Sequence, residues 1–291
     1  MTARVALALL TVTLAACSGA TPPRAPLDAA PLDAAVTGDQ EAVDAGPTDD
    51  RPAVAFDAPP AVDAGPLRLR VLLVGNSYTF YHDLPALLAR MGEAAARASR
   101  GPHLDTTAVT VGGASLRAHW DADDAPTRLR TMPWDAVVLQ GQSVEPVLNF
   151  SEFRSYGLRF AALATERNVR TVWFATWPRR AGDALYAQPW SGGSPEVFGA
   201  RLHTAYAQVA EAAMGTLAPV GQAWLAALEA RPGAALYDPD GSHPSPAGTW
   251  LTACVLYRAL TGTPAPAETE SAAVGLDPAE VRALRGLAAG P

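Results

Sequence analysis

The chain contains no lysine: all 22 of its basic side chains are arginine, against 29 aspartates and glutamates, for a formal net charge of −7. A phosphate loop of the G-x-x-x-x-G-K-[ST] type needs a lysine to reach the nucleotide phosphates, so that class is excluded. Schiff-base chemistry at a lysine amine is excluded with it. The shortage of positive charge also argues against a nucleic-acid binder, which carries a basic stripe or patch. Sulfur is equally scarce. The two cysteines, Cys17 and Cys254, are too few and too far apart for a disulfide framework or a thiolate zinc site. The five histidines show neither H-x-x-x-H spacing nor a nearby carboxylate cluster, so no metal is expected. What remains is a chain of 291 residues, 49% hydrophobic, enough for one large domain or two small ones.

Arg4 precedes a short apolar run over residues 5–13. The run is shorter than the ~20 residues needed to span a bilayer and suits a secretory leader. It ends in Leu14-Ala15-Ala16-Cys17, which resembles the lipobox of bacterial lipoproteins. That resemblance implies that residues 1–16 are a signal peptide and that Cys17 becomes a lipidated N-terminus. Ser18 in the following position implies the outer membrane, on either face, rather than inner-membrane retention. An acyl anchor would fasten the protein to the cell envelope without spanning it. Residues 17–66 are dominated by Ala, Pro, Asp, Gly and Thr, with PLDAA appearing twice. Such a composition buries too little apolar surface to offset its ordering entropy, and reads as an acidic, proline-stiffened tether. The folded domain is expected over residues 67–291.

From Leu69 the pattern changes. The apolar run at 69–74 ending in Gly75 reads as a buried parallel strand. Further strands are predicted at 106–111, 136–139, 171–175 and 217–220. Leu84, Leu87, Leu88 and Met91 share one helical face over 84–98, with Asp83 as N-cap and Pro85 just inside. Other helices are predicted at 151–167, 195–214, 222–230, from Pro246 to Gly262, and from Asp277-Pro278 to Leu287. Strands alternating with helices imply right-handed parallel crossovers, hence a three-layer α/β/α sandwich around a five-stranded parallel sheet. Ligands of such sheets bind outside the carboxyl ends of the strands.

The first strand ends in Gly75-Asn76-Ser77-Tyr78-Thr79, a serine on a strand-to-helix turn. Thr79 stands where the G-x-S-x-G elbow has its last glycine, so this is not that motif. Far along the chain lies Asp240-Gly241-Ser242-His243-Pro244, in which Asp240 can sit beside the imidazole three residues on. Asp238 competes for that place, although the spacing favours Asp240. Together these segments resemble the SGNH/GDSL hydrolase family over about residues 69–262. GNS takes the place of the family's GDS block, with Ser77 matching the nucleophile, and Asp240 and His243 matching its D-x-x-H block as orienter and general base. In Val111-Gly112-Gly113-Ala114-Ser115, Gly113 matches the second-block glycine that donates to the oxyanion, with Gly112 as the alternative. The third block departs from the family's G-x-N-D. Leu139-Gln140-Gly141-Gln142-Ser143 has no asparagine, and spacing does not decide whether Gln142 or Gln140 supplies the amide. The set GNSYTFYHDLP, LQGQS and DGSHPSPAG looks like a bacterial SGNH subfamily in which such a glutamine is usual.

Other residues carry plainer readings. His119 reads as a partly exposed loop histidine, although with Trp120 it follows the second block and could line the cleft. Trp177 either faces substrate or caps the core, and Arg179 and Arg180 either meet a carboxylate or are solvated. Glu145 has no second carboxylate placed opposite it and is not read as half of a glycosidase pair. Cys254, among Leu251, Val255 and Leu256, reads as a buried structural thiol.

The resemblance implies a monomeric serine esterase without metal or organic cofactor, acting through an acyl-enzyme on a small-molecule or polysaccharide ester. A short-chain, acetyl-removing carbohydrate esterase is the expectation. A lipase, lysophospholipase or thioesterase is the alternative within the fold, and a non-catalytic surface binding lipoprotein the alternative outside it. The anchor has a direct test. Wild-type protein should partition into a detergent phase and Cys17→Ala should not; recovery of both in the aqueous phase would refute lipidation.

Overall fold

The computed structural model describes residues 67–289; the leader, the tether and Cys17 lie outside the described residues. Along the chain the elements are β1 (Arg68–Gly75), α1 (Ser77–Phe80), α2 (Leu84–Arg97), β2 (His103–Thr110), α3 (Leu116–Ala122), α4 (Asp124–Thr131) and β3 (Ala136–Leu139). They continue with α5 (Glu145–Leu148), α6 (Phe150–Glu166), β4 (Arg170–Phe174), α7 (Pro195–Ala212) and β5 (Thr216–Ala218). Helices α8 (Val220–Ala230), α9 (Pro246–Thr261) and α10 (Pro278–Ala288) complete the domain. No helix among the described residues is long and apolar enough to cross a membrane.

All strand pairs are parallel, in the order β2-β1-β3-β4-β5. Alternate residues of each strand feed two separate cores. Val71, Leu73, Val138, Val172 and Phe174 face a layer built from α2, α8, α9 and α10. Leu72, Val74, Val137, Leu139 and Trp173 face α3, α4, α6 and α7. Burial on both faces is why β1 and β3 read as unbroken apolar runs instead of alternating ones. Helix α9 is buried almost all round, from Ala247 to Tyr257, and Cys254 lies within it. A helix apolar on every side has to be an interior helix.

Several boundaries follow from caps that the sequence displays. Ser194, Ser245 and Asp277 each accept a backbone N–H of the first turn, with proline immediately after the cap. These side chains satisfy amides that have no partner inside the helix. Other elements differ from the sequence pattern. β2 begins three residues before the expected position and pairs with β1 from Arg68↔His103 onward. It is an edge strand whose polar face hides the period, and Asp105 there meets Arg68 at 2.6 Å. Helix α8 starts at Val220, two residues ahead of expectation. Helices α3 and α4, which cross from β2 to β3, had no recognisable apolar period. They are short and are broken at Asp123, whose φ is +59°.

The direction of the crossovers reverses between β1 and β3. In open parallel sheets a crevice forms at that reversal, outside the carboxyl ends of the two strands. Ser77 and the Gln140 loop stand there.

Close approach of α9 to its neighbours rests on Gly248, where an added Cβ would lie 2.2 Å from the Leu236 carbonyl oxygen and 2.7 Å from the Trp224 ring. Gly248→Ala should therefore lower stability in urea unfolding by about 1–3 kcal/mol, the usual cost of overpacking. Gly286, in α10 with nothing within 4 Å, supplies the control. Gly286→Ala should raise stability by up to about 1 kcal/mol through helix propensity. Equal effects at both positions would show that α9 is not packed as described.

Candidate active site

β1 ends at Gly75, where a side chain would meet Thr79 Oγ1 at 2.4 Å and Gln140 Oε1 at 2.5 Å. The next residue, Asn76, is buried and tied in four directions. Its N–H donates to Gln140 Oε1 at 2.9 Å, and its Nδ2 donates to the carbonyls of Ala114 at 3.0 Å and Gly141 at 3.4 Å. Its Oδ1 accepts the Tyr78 N–H at 3.2 Å and so caps α1. One side chain thus joins the carboxyl end of β1 to the loops that follow β2 and β3. Ser77, the first residue of α1, emerges half-buried from this knot.

The second half of the site comes from the loop before α9. Tyr237 and Pro244 form an antiparallel bridge, the Asp238 N–H donates to the His243 carbonyl at 2.9 Å, and Gly241 turns the chain at φ +72°. Asp240 Oδ1 accepts the N–H groups of Ser242 and His243, both at 2.9 Å, while Oδ2 pairs with His243 Nδ1. His243 Nε2 lies 2.8 Å from Ser77 Oγ. Asp238 points elsewhere, its carboxylate 3.6 Å from His82 Nε2. Partial burial pushes the Asp240 carboxyl up, but the His243 side chain and the two N–H groups outweigh this and bring it down to about 2. Ionised Asp240 accepts from Nδ1–H, which leaves Nε2 with a lone pair facing the serine hydroxyl.

Aromatic rings brace this contact. Tyr78 stacks on Trp177 with centroids 4.5 Å apart, and Trp177 stacks on Trp224 at 4.1 Å. Trp177 Nε1 donates to the Ser242 carbonyl at 3.0 Å, and Tyr78 shares a 2.7 Å hydrogen bond with Ser242 Oγ. Trp177 is therefore a core residue that supports the histidine loop. Tyr81 lies face to face with the His243 imidazole, centroids 4.1 Å apart and planes 9° apart. Neither Asn76 nor Tyr81 was given a role by the sequence reading. Their signals were present: an asparagine between the strand-end glycine and the serine, and an aromatic four residues after that serine.

The two glutamines differ sharply. Gln140 is fully buried; its Oε1 accepts from the Asn76 N–H and from Thr79 Oγ1 at 2.9 Å, and its amide is directed at the Gly141 carbonyl. It buttresses the turn and does not face the cleft. Gln142 is half-buried, its Oε1 accepting from Val144 at 2.9 Å and Glu145 at 3.2 Å. Among the described residues its Nε2 has no partner, nor have the N–H groups of Ser77, Gly112 and Gly113. Gly113 occupies an exposed turn at φ +69°, closed by the Ala114 N–H donating to the Val111 carbonyl at 3.1 Å.

Contrary to the sequence reading, His119 is not a partly exposed loop residue. It lies on α3, only 2% exposed, with Nε2 2.7 Å from the Gly75 carbonyl. Burial holds its pKa below the usual value, so it stays neutral and supports β1 from beneath. Trp120 packs edge-on against Phe160 in the second core. Arg179 stands 3.5 Å from Asp183, and Arg180 donates to the Pro239 carbonyl at 3.0 Å. Among the described residues no group of three or more His, Cys, Asp and Glu side chains is assembled that could hold a metal ion.

No family model matches the chain, and no curated protein matches it. Solved structures do. A Slackia heliotrinireducens protein assigned to the SGNH hydrolases is 29% identical, with TM-score 0.56 over 66% of this chain and 98% of its own. A Bacteroides uniformis protein of the DUF4886 family is 17% identical, with TM-score 0.59 over 76% of this chain and 93% of its own. An acetylxylan esterase from Geobacillus stearothermophilus is 13% identical, with TM-score 0.51 over 67% of this chain and 95% of its own. The fold is thus the α/β/α sandwich of the SGNH hydrolases.

Glu145 provides a pH test of the third-block loop. It is buried, its Oε2 accepts the Gln142 N–H at 3.2 Å, and Oε1 has no partner among the described residues. Burial raises its pKa to about 7, the Gln142 N–H opposing and Glu152 adding. Its folded pKa lies above the unfolded one, so its contribution to stability is full below pH ~4.5 and falls as pH rises to about 7. The Tm of Glu145→Gln minus that of wild type should therefore grow between pH 4.5 and pH 7. A gap that stays constant would show that Glu145 ionises normally.

Proposed function

We propose that the protein is a serine esterase, and the observation that carries this reading is the 2.8 Å contact of Ser77 Oγ with His243 Nε2, behind which stands ionised Asp240. Ser77 attacks the ester carbonyl carbon while His243 takes its proton. The oxyanion accepts hydrogen bonds from the Ser77 N–H, the Gly113 N–H and the Gln142 amide. Removing one such donor costs roughly 3–4 kcal/mol of transition-state stabilisation in known cases. Collapse expels the alcohol, which receives the proton from His243 and leaves an acyl-serine. Water then attacks the acyl carbon, His243 takes and returns a proton, and the carboxylic acid departs.

The substrate we propose is a short acyl ester, acetyl above all, on a carbohydrate. The rim is open: Val111, Gly112, Gly113 and Asp240 are all exposed, which suits a small acyl group on a bulky alcohol. A cavity of about 900 Å³, lined in part by Leu69, Arg170, Val255 and Leu260, lies at the opposite, amino ends of the strands. Its lining includes none of Ser77, Asp240 and His243, so it is not an acyl pocket of this site. Acetylxylan esterases among proteins of the same fold agree with this choice. The proposed setting is the bacterial cell envelope, by way of lipid on Cys17.

A panel of para-nitrophenyl esters tests both parts. Hydrolysis of acetate should exceed that of octanoate, and a preference for octanoate or longer would overturn the short-chain reading. Ser77→Ala and His243→Ala should each lower kcat by several orders of magnitude, and the double variant little further, because the pair acts as a unit. Failure of the intact protein to react with a fluorophosphonate across several pH values would overturn catalysis itself and favour a binding role.

A further inference from the structure

The His243 imidazole is held in its own plane at two points, Nδ1 by Asp240 and Nε2 by Ser77. The motion still open to the ring is a swing about its Cβ–Cγ bond, which would carry Nε2 out of the plane it now occupies. Such a swing takes Nε2 off its line to Ser77 Oγ. Beside the two hydrogen bonds, a contact on the ring's face opposes that motion, and Tyr81 makes one, with centroids 4.1 Å apart and planes 9° apart. Tyr78 touches only as an edge, at 5.8 Å and 81°.

The chain places Tyr81 there from both ends. Tyr81 follows Ser77 by one helical turn, and its N–H donates to the Ser77 carbonyl, so both side chains stand on the same side of α1. Directly afterwards His82 and Asp83 take left-handed backbone angles, φ +48° and +53°, that turn the chain away into α2. His82 Nε2 lies 3.6 Å from Asp238 on the loop that carries His243. The ring and its partner are thus fixed to the same two segments.

We propose that Tyr81 is a positioning residue for His243. Its ring face keeps the imidazole plane aligned with Ser77 and stabilises the positive charge that the imidazole gains on taking the serine proton. The electron-rich face of an aromatic ring attracts a cation, and the imidazole becomes one as it takes the serine proton. The effect therefore falls on kcat. This inference rests on the serine-esterase reading of the same site.

Three variants and two readouts test it. Tyr81→Leu, similar in bulk but without a π face, should lower kcat for para-nitrophenyl acetate roughly three- to tenfold, with KM little changed and wild-type circular dichroism. Tyr81→Phe should recover most of that loss, because the face is restored without the hydroxyl. Tyr81→Ala should lose at least as much as Tyr81→Leu. Independently of turnover, the carbon-bound ring protons of His243 should resonate upfield under the Tyr81 ring current. They should move downfield in Tyr81→Leu and stay in place in Tyr81→Phe. The proposal is overturned if Tyr81→Leu keeps wild-type kcat, if Tyr81→Phe falls as far as Tyr81→Leu, or if the ring protons do not move. Should wild-type protein hydrolyse no ester, the esterase reading fails, while the ring-proton shifts still decide whether the stack exists.

Discussion

A single buried oxygen, Gln140 Oε1, holds the ends of β1 and β3 in register at the site. It accepts the Asn76 N–H and the Thr79 hydroxyl, both at 2.9 Å, in a place without access to water. Leaving either donor unpaired at such depth costs on the order of 1–3 kcal/mol, so the pairing is strongly specified. Its position forbids a side chain at Gly75 and fixes the plane in which Asn76 lies. Asn76 in turn gathers the loops after β2 and β3 through one amide. Ser77 is directed by its neighbours before its own side chain makes any contact. The glutamine that looked like a departure from the family's third block is, at position 140, the support of the first block. At position 142 a second glutamine uses its Oε1 within its own loop, and its Nε2 has no partner among the described residues.

The half of the site that comes from the end of the chain is braced differently, by apolar faces. Tyr78, Trp177 and Trp224 stack with successive centroids 4.5 and 4.1 Å apart, and Tyr237 meets Trp224 edge-on at 4.8 Å to end the column. It runs from α1, through the loop after β4 and through α8, to the start of the histidine loop. Aromatic contacts of this kind add about 0.5–1.5 kcal/mol each beyond their buried area. They also transmit position, because a close-packed column cannot shorten. Polar bonds set the serine, and stacked rings set the height of the histidine loop.

The sequence disclosed whatever was local. β1 and β3 were legible because burial on both faces leaves an unbroken apolar run, and α9 and α10 because a capping side chain followed by proline marks a helix start. Asp240 was legible because a carboxylate three residues before a histidine can sit beside the imidazole within one loop. What escaped depended on packing between distant segments. The polar outer face of β2 masked its first half, and α3 and α4 were too short to establish a period. His119 looked like a loop residue until α3 brought it under the end of β1. No spacing rule could choose between Gln140 and Gln142, since the turn after a strand decides which side chain points inward.

The contact of Ser77 with His243 spans 166 positions of the chain. Under the proposed mechanism, a polypeptide that emerges amino-end first therefore presents its nucleophile long before the base that would activate it. Such a nascent chain would hold an inert alcohol during synthesis. Hydrolytic competence would appear only when α9 closes over the sheet, and turnover would then report that the last third of the domain has arrived and docked. Any proteolytic loss from the carboxyl end reaching this loop would return the protein to silence without touching the serine.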